Sequence, residues 1–356
     1  MTTAWEIVLV ARVPQAATSP TLTVVDRLVF EKLSYTHELN RPGSATVGCP
    51  IRSMSSAVKT RLADLDSFPC EVWVYADTVL DWAGEIQTIA IDGQTANLGC
   101  VGLLGYCWRM GVTSDLTYTA TDQFTIAKNL VDHWQGLSYG NYGIDTSTVG
   151  TSGVTRDRTY LRNELHNIGQ RLQELGAVSN GFDTRVDPTT RKLILAYPQS
   201  GTDLTASLFF DHRNIDSANI AISVAPDDLV SDVSATGSAA TSGGTNTTLY
   251  SARSTAAVQS AYGRSWASAT FDGVSVQATL DGHADAYKDA RASFLLQPGI
   301  TIIPKTGADI HGFHVGDTCT YSFDAGLGLQ TLTPRIAKIT VDVDEDGKKR
   351  FRIEFT

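Results

Sequence analysis

The chain closes on VDVDEDGKKRFRIEF, Val341 to Phe355, and two incompatible folds compete for that stretch. Asp342, Asp344, Asp346 and Gly347 follow the order that opens a calcium-binding EF-hand loop, in which ligands alternate before a glycine at the sixth position. Such a loop closes its shell with a bidentate glutamate at the twelfth position, which here is Ile353. Glu354 comes one residue late, and the residues after it leave no room for an exiting helix. The flanks favour a strand pair. Ile339, Val341 and Val343 alternate with Thr340, Asp342 and Asp344, while Phe351, Ile353 and Phe355 alternate with Arg350, Arg352 and Glu354. Both runs carry the period of a half-buried strand, and Asp346-Gly347 between them is a strong hairpin signal because glycine reaches positive φ without a Cβ clash. The stretch reads as a terminal β-hairpin with a polar outer face and no dedicated metal site; an ion held on the acidic turn is the alternative.

Working back from the hairpin, the last third is mostly strand. LFFDHRNIDSANIAISVAPDDLVSDVSATG leads into SAATSGGTNTTLYS, which has no lysine of the phosphate-loop type and reads as a loop. A helix is expected in HADAYKDARASFLL, with Tyr287, Ala290, Arg291, Phe294 and Leu295 in register and Pro298-Gly299 ending it. GITIIP and DTCTYSF are further strands.

The first 110 or so residues have the same texture. LTVVDRLVFEKLSYTHEL is rich in β-branched and aromatic residues, Asn40-Arg41-Pro42-Gly43 is a turn, and Asp92-Gly93 opens the return strand QTANLGCVGLLGY. One helix interrupts them, with Met54, Val58, Leu62 and Leu65 at helical spacing. Between the two strand-rich parts lies a different texture. TDQFTIAKNLVDHW predicts a helix capped by Thr121, with Phe124, Ala127, Leu130, Val131 and Trp134 on one face. RTYLRNELHNIGQRLQELG predicts a longer one, carried by Leu161, Leu165, Ile168, Leu172 and Leu175 and stopped by Gly176. GFDTRVDP and RKLILAYP then form a hairpin. The fold class is α+β, mainly β. Residues 1–112 form a first β-domain with one helix, 113–200 an α+β insert, and 201–356 a second β-domain with one helix and the closing hairpin.

A chain of 356 residues exceeds a comfortable single core, which agrees with that division. Hydrophobic residues make up 42% and the mean hydropathy is -0.07, values of an ordinary soluble globular protein. A net charge of -10 disfavours broad attraction to duplex DNA. MTTAWEIVLVARVP carries Glu6 where a signal peptide needs a basic start, and no run approaches the roughly 18 apolar residues of a membrane span. Cys49, Cys70, Cys100, Cys107 and Cys319 are odd in number and lack paired spacing, so they read as reduced core residues.

Chemical apparatus is sparse. His311 and His314 in HGFH, with Cys319 beyond, have ligand-like spacing but no second short-spaced cluster to complete a zinc site. Cys100 and Cys107 lie in an apolar segment and read as core. Asp281 and Asp285 in DGHAD are read as opening a helix, where carboxylates meet the positive end of its dipole. Glu164 and Glu174 fall on the outer side of the predicted leucine helix. No GxSxG elbow occurs, and spatial triads and carboxylate pairs are invisible to sequence. The expectation is a protein without catalytic, cofactor-binding or metal-binding residues.

The order LNRPGSATVGCPI, a short helix, EVWVYADTVLDWAGEIQTIAIDG, GLLGYCWRM, LQELGAVSNGFDTRVDPTTRKLILAYPQSG and VGDTCTYSF resembles the baseplate hub (minor tail) proteins of long-tailed bacteriophages over essentially the whole chain. That family is similar to the central hub of contractile tails. The resemblance implies two β-barrel-like domains around an α/β part, and a homotrimer whose six barrels imitate sixfold symmetry. It implies a virion protein made in the host cytoplasm, placed between the hexameric tail tube or distal tail ring and threefold tip or fibre proteins. The tape measure protein and, transiently, DNA in the lumen would be neighbours. The competing class is a β-rich receptor- or carbohydrate-binding protein using Trp134, Tyr139 or Tyr142; a hydrolase with an unrecognised site is a third.

Overall fold

Alternation of apolar and polar residues places strands along most of the chain, and each forms where one face finds something to bury against. The computed structural model describes residues 4–64, 69–220, 229–242, 245–271, 274, 276–292, 300–305, 311–324 and 328–356. The first part contains β1 (Trp5–Val13), β2 (Thr21–Leu28), β3 (Lys32–Glu38), β4 (Ser44–Pro50), α1 (Ser56–Ala63), β5 (Cys70–Ala76), β6 (Val79–Asp92) and β7 (Thr95–Gly102). The middle part contains β8 (Leu116–Asp122), α2 (Gln123–Gln135), β9 (Thr155–Tyr160), α3 (Ile168–Gly176), β10 (Asp183–Val186) and β11 (Leu193–Ala196). Then follow β12 (Phe209–Phe210), β13 (Ile215–Ile220), β14 (Asp232–Ser242), β15 (Thr245–Ser254), α4 (Ala256–Tyr262), β16 (Trp266–Phe271) and α5 (Gln277–Asp289). The chain finishes with β17 (Ile300–Pro304), β18 (Thr320–Asp324), β19 (Leu329–Leu332), β20 (Ile336–Val343) and β21 (Lys349–Phe355). The fold is mainly β, with several sheets and a few helices. No described helix is long and apolar enough to cross a membrane.

The terminal hairpin forms as its alternation requires. In β20 and β21, Val341 faces Phe351 and Asp342 faces Arg350, and Gly347 turns the chain at φ 74°. The other edge of β20 pairs with β3, Lys338 opposite Glu38 and Val343 opposite Leu33. That pairing joins both ends of the chain in an eleven-stranded sheet of order β13-β17-β21-β20-β3-β4-β7-β6-β5-β1-β2. One core follows from it. Leu9, Leu33, Tyr35 and Leu98 are fully buried in the same cluster as Tyr321, Val341 and Ile353. The turn before β4 depends on Gly43 at φ 64°, where an added Cβ would lie 2.2 Å from the Thr36 carbonyl oxygen.

A second core holds the middle part. The tight turns of Leu103–Arg109 bury Tyr106 and Cys107, and α2 and α3 cover them with Ile126, Leu130, Ile168 and Leu172. A third is built by the small sheet β15-β14-β16 with α5 across it, burying Val233, Ala235, Leu280 and Ala284.

Several local expectations change. The N-cap of α2 is Asp122, whose Oδ1 accepts from the backbone N–H of Phe124 and Thr125; Thr121 stays in β8. The strand expected through Tyr106 stops at Gly102. The leucine helix is shorter than its spacing suggests. Arg158–Tyr160 pair with Leu116–Tyr118 in β9, Leu165 has φ 53° and is 86% exposed, and the helix starts after Asn167 caps Gln170. Pairing in β9 buries Tyr160, and burial of one large side chain, about 1.5–3 kcal/mol, outweighs the helix propensity of a few residues at no more than about 0.7 each. The Ser/Thr/Gly stretch is a strand pair and not a loop. Ser238 to Ser242 lie in β14, which pairs antiparallel with Thr245 onward in β15, Ala239 opposite Thr248 and Ser242 opposite Thr245. The DGHAD stretch lies in the middle of α5 rather than at its start. Leu65, residues 243–244, Phe294, Leu295 and Pro298-Gly299 lie outside the described residues.

Candidate functional site

The densest polar chemistry lies where the first and middle parts of the chain meet. Glu71 on β5 is fully buried, and four donors converge on it. Arg191, from the turn between β10 and β11, donates Nη1 to Oε2 at 2.9 Å and Nη2 to Oε1 at 3.1 Å. The Tyr106 hydroxyl donates at 2.7 Å and the Trp73 indole N–H at 3.0 Å. Burial pushes the Glu71 carboxyl up, but the Arg191 guanidinium and these hydrogen bonds outweigh it and hold the group below the usual carboxylate range. Burial, then the Glu71 charge, pushes the Tyr106 phenol well up. Arg12 lies 5.1 Å over the Tyr106 ring and 5.2 Å over Tyr142, and with Arg109 it pairs with Glu85 at 3.0 and 2.8 Å.

A second network clamps the C-terminal strands. Asp183 at the start of β10 accepts from Asn40 Nδ2 at 2.9 Å, from the Ser200 backbone N–H at 2.6 Å, and from Arg335. Arg335 also donates to the Gly316 and Ser200 carbonyls at 2.9 and 2.8 Å. Asn40, Asp183 and Arg335 come from the first, middle and last parts of the chain. A third group lies on the large sheet, where Asp81 accepts from the Tyr35 hydroxyl at 2.6 Å and lies 3.1 Å from His37 Nε2. Burial raises Asp81, but His37 and Tyr35 together hold it below its ordinary value, and His311 adds to that effect. Burial pushes the Tyr35 phenol well up, which makes it a poor nucleophile at neutral pH. These carboxylates are committed to joining segments.

The whole path through strands, insert and returning hairpin matches solved structures. Over 99% of this chain and 98% of the other, the fold matches a 43 kDa prophage tail protein from Shewanella oneidensis at TM-score 0.60 and 12% identity. A tail protein from Neisseria meningitidis matches at TM-score 0.58 and 12% identity, over 99% of this chain and 96% of that one. A prophage tail protein from Listeria monocytogenes matches at 0.56 and 11%, over 98% and 94%. This chain has the fold of a phage tail protein. No protein-family model and no curated protein sequence matches it.

Within the tail-protein fold, the residues singled out by sequence scatter. Asp344 Oδ1 accepts from the backbone N–H of Asp346 and Lys348, at 3.1 and 2.8 Å, and Asp346 pairs with Lys348 at 2.8 Å. His314 is 3.9 Å from Asp317, His311 acts on Asp81, and Cys319 is buried with its thiol pushed up to about 12 by burial. All five cysteines are buried and unpaired. Among the described residues no group of three or more His, Cys, Asp or Glu could hold a metal ion. Asp281 and Asp285 pair with Arg253 at 3.0 and 3.1 Å. Glu164 lies outside α3, in a short turn where it accepts from His166 at 2.6 Å, and Glu174 pairs with Arg171 at 2.8 Å. The aromatic trio separates. Tyr139 is 65% exposed, while Tyr142 stacks on Tyr106 at 4.9 Å and Trp134 packs against the second core. Sequence reading passed over Glu71, Arg191, Asp183 and Arg335, whose partners lie far away along the chain. The one available signal was a glutamate at a strand position whose neighbours Cys70, Val72 and Val74 are all apolar.

Proposed function

We propose that this protein is a structural hub subunit of a phage-type tail, with no catalytic role. The near full-length match to three tail proteins carries the reading. Residues 1–112 and 201–356 supply the two barrel-like units, and 113–200 is the insert. Three copies close into a ring whose six units imitate sixfold symmetry, so one side docks on the hexameric tail tube or distal tail ring and the other on threefold tip or fibre proteins. Tape measure protein and passing DNA occupy the lumen. The balance of -10 suits a channel that DNA must leave without sticking. Ion-paired joints such as Asp183 with Arg335 and Glu71 with Arg191 support the mechanical side of the reading, because they tie distant segments at fixed geometry.

Native mass across a wide concentration range tests the ring. A particle of three times 38.3 kDa is expected. A persistent monomer, even with tube or distal tail protein added, would overturn it. A second reading, binding of a receptor carbohydrate, is favoured by Trp266 and Tyr250. They are 64% and 58% exposed on the open face of the small sheet, with Trp266 Nε1 and the Tyr250 hydroxyl 2.9 and 3.1 Å from Ser234 Oγ between them. Glycan-array binding lost in Trp266→Ala would support that reading.

A further inference from the structure

The small sheet β15-β14-β16 leaves one face open, because α5 covers the other. Two large rings lie on the open face and meet at one hydroxyl. Trp266 stands opposite Asp232 and Tyr250 opposite Thr236, yet both reach Ser234, which lies between those two positions, from the two flanking strands. Each tie uses the polar edge of the ring, the indole N–H at 2.9 Å and the phenol hydroxyl at 3.1 Å, so the area left exposed on both is mainly ring carbon. Around them the exposed side chains are small and uncharged: Thr248 and Ala252 on β15, and Ser268 and Thr270 on β16, with the Thr270 hydroxyl 3.2 Å from that of Thr236. The sequence extends this neutrality. No charged residue occurs from Val233 to Ala252 or from Trp266 to Phe271, in a chain that is 19% charged. The charge that does lie on this face, Asp232, is engaged: it accepts from Ser231 Oγ at 2.6 Å and Gln259 Nε2 at 2.9 Å, and Arg264 acts on it. Among the described residues no cation on the open face is placed to hold an acidic group.

Resting on the carbohydrate reading above and narrowing its ligand, we propose that this face is a platform for a neutral glycan, with the C–H side of a sugar ring on Trp266 and Tyr250 and its hydroxyls on the Ser and Thr hydroxyls around them. The face of an aromatic ring is electron-rich and attracts the weakly positive C–H groups on one side of a sugar ring. A hydroxyl both donates and accepts, which matches sugar hydroxyls rather than a fixed charge. An acidic or phosphorylated sugar would meet Asp232 and give up hydration without gaining a counter-ion. Three strands at about 4.8 Å spacing and the five residues Asp232 to Thr236 at about 3.3 Å each give a footprint of roughly 14 by 16 Å. That suits a short oligosaccharide and falls well below the about 800 Å² per partner of a stable protein interface.

The test applies the labelled full chain to an array carrying neutral hexose and N-acetylhexosamine oligomers beside sialylated, uronic-acid and phosphorylated ones, and then titrates the bound oligomer by calorimetry. Binding confined to neutral oligomers is expected. Trp266→Ala and Tyr250→Ala should each weaken it about tenfold with the melting temperature unchanged, since both rings stand on an exposed face. Trp266→Phe keeps a ring face while deleting the N–H tie to Ser234, and is expected to lose less than Trp266→Ala. Acidic oligomers bound through Trp266 would overturn the neutral ligand and leave the carbohydrate reading standing. Neutral oligomers bound equally by both alanine variants would place the sugar elsewhere and overturn the platform. No binding to any oligomer would overturn the platform and the carbohydrate reading together, and a fall in native mass in Trp266→Ala would then assign this face to a second copy of the chain.

Discussion

Replacing Arg191 by methionine keeps the aliphatic stem and the backbone at φ 57°, and removes only the charge and its donors. Glu71 then stays buried with two neutral donors, Tyr106 and Trp73, in place of a bidentate guanidinium. Breaking a buried pair on one side costs about 3–5 kcal/mol, against about 0–1 for an exposed pair. Side-chain exposures of 13% for Arg191 and 0% for Glu71 place this pair in the first class. Urea unfolding followed by circular dichroism at pH 7 is expected to show a loss of that size. The double variant Glu71→Gln/Arg191→Met should recover about 1–3 kcal/mol of it, because no ionised carboxylate is stranded. The pH dependence has a definite sign. Glu71 titrates below its unfolded value in the native protein, so its contribution is present above about pH 4.3 and is lost as pH falls through the lower native value. In Arg191→Met, protonation relieves the stranded charge instead, and the gap between variant and wild type narrows towards pH 4. A loss below about 1 kcal/mol at pH 7, or a gap that widens in acid, would refute the reasoning.

Further outcomes follow from other sites. Gly43→Ala is expected to cost at least about 1–2 kcal/mol in urea unfolding, since the new Cβ would meet the Thr36 carbonyl at 2.2 Å with φ positive. Calcium at millimolar concentration is expected to leave the melting temperature unchanged, because Asp344 is engaged by the turn backbone and Asp346 by Lys348. A rise on calcium addition, lost in Asp346→Asn, would show that the turn binds the ion. The buried thiols, with Cys49, Cys107 and Cys319 each pushed up to about 12 by burial, should resist a thiol reagent at pH 8 until the protein is unfolded by urea. Asp183→Ala should loosen the C-terminal strands first, read as faster amide exchange in β20 and β21 than in β5 and β6, since Arg335 loses its carboxylate.

Strand period and turn chemistry are local properties, and they alone determined the terminal hairpin, the Asp92-Gly93 hairpin, the β10 and β11 pair and the mainly β class. Helix spacing was dependable where the whole apolar face met one core, as in α2, and misled where a strand partner was available, as at Arg158–Tyr160. The Ser/Thr/Gly stretch has no apolar period of its own, so its strands were not legible in sequence; they continue the pairing of β14 and β15 that starts at Asp232 and Ser254, where Val233 and Ala235 are buried in the third core. Tertiary structure alone decided that β20 pairs with β3, because strand pairing depends on which edge is open and not on either sequence by itself. It alone brought Arg191 to Glu71 across 120 residues and Arg335 to Asp183 across 152. A charged residue in a sequence carries no mark of its partner; the partner is chosen when folding removes both from water.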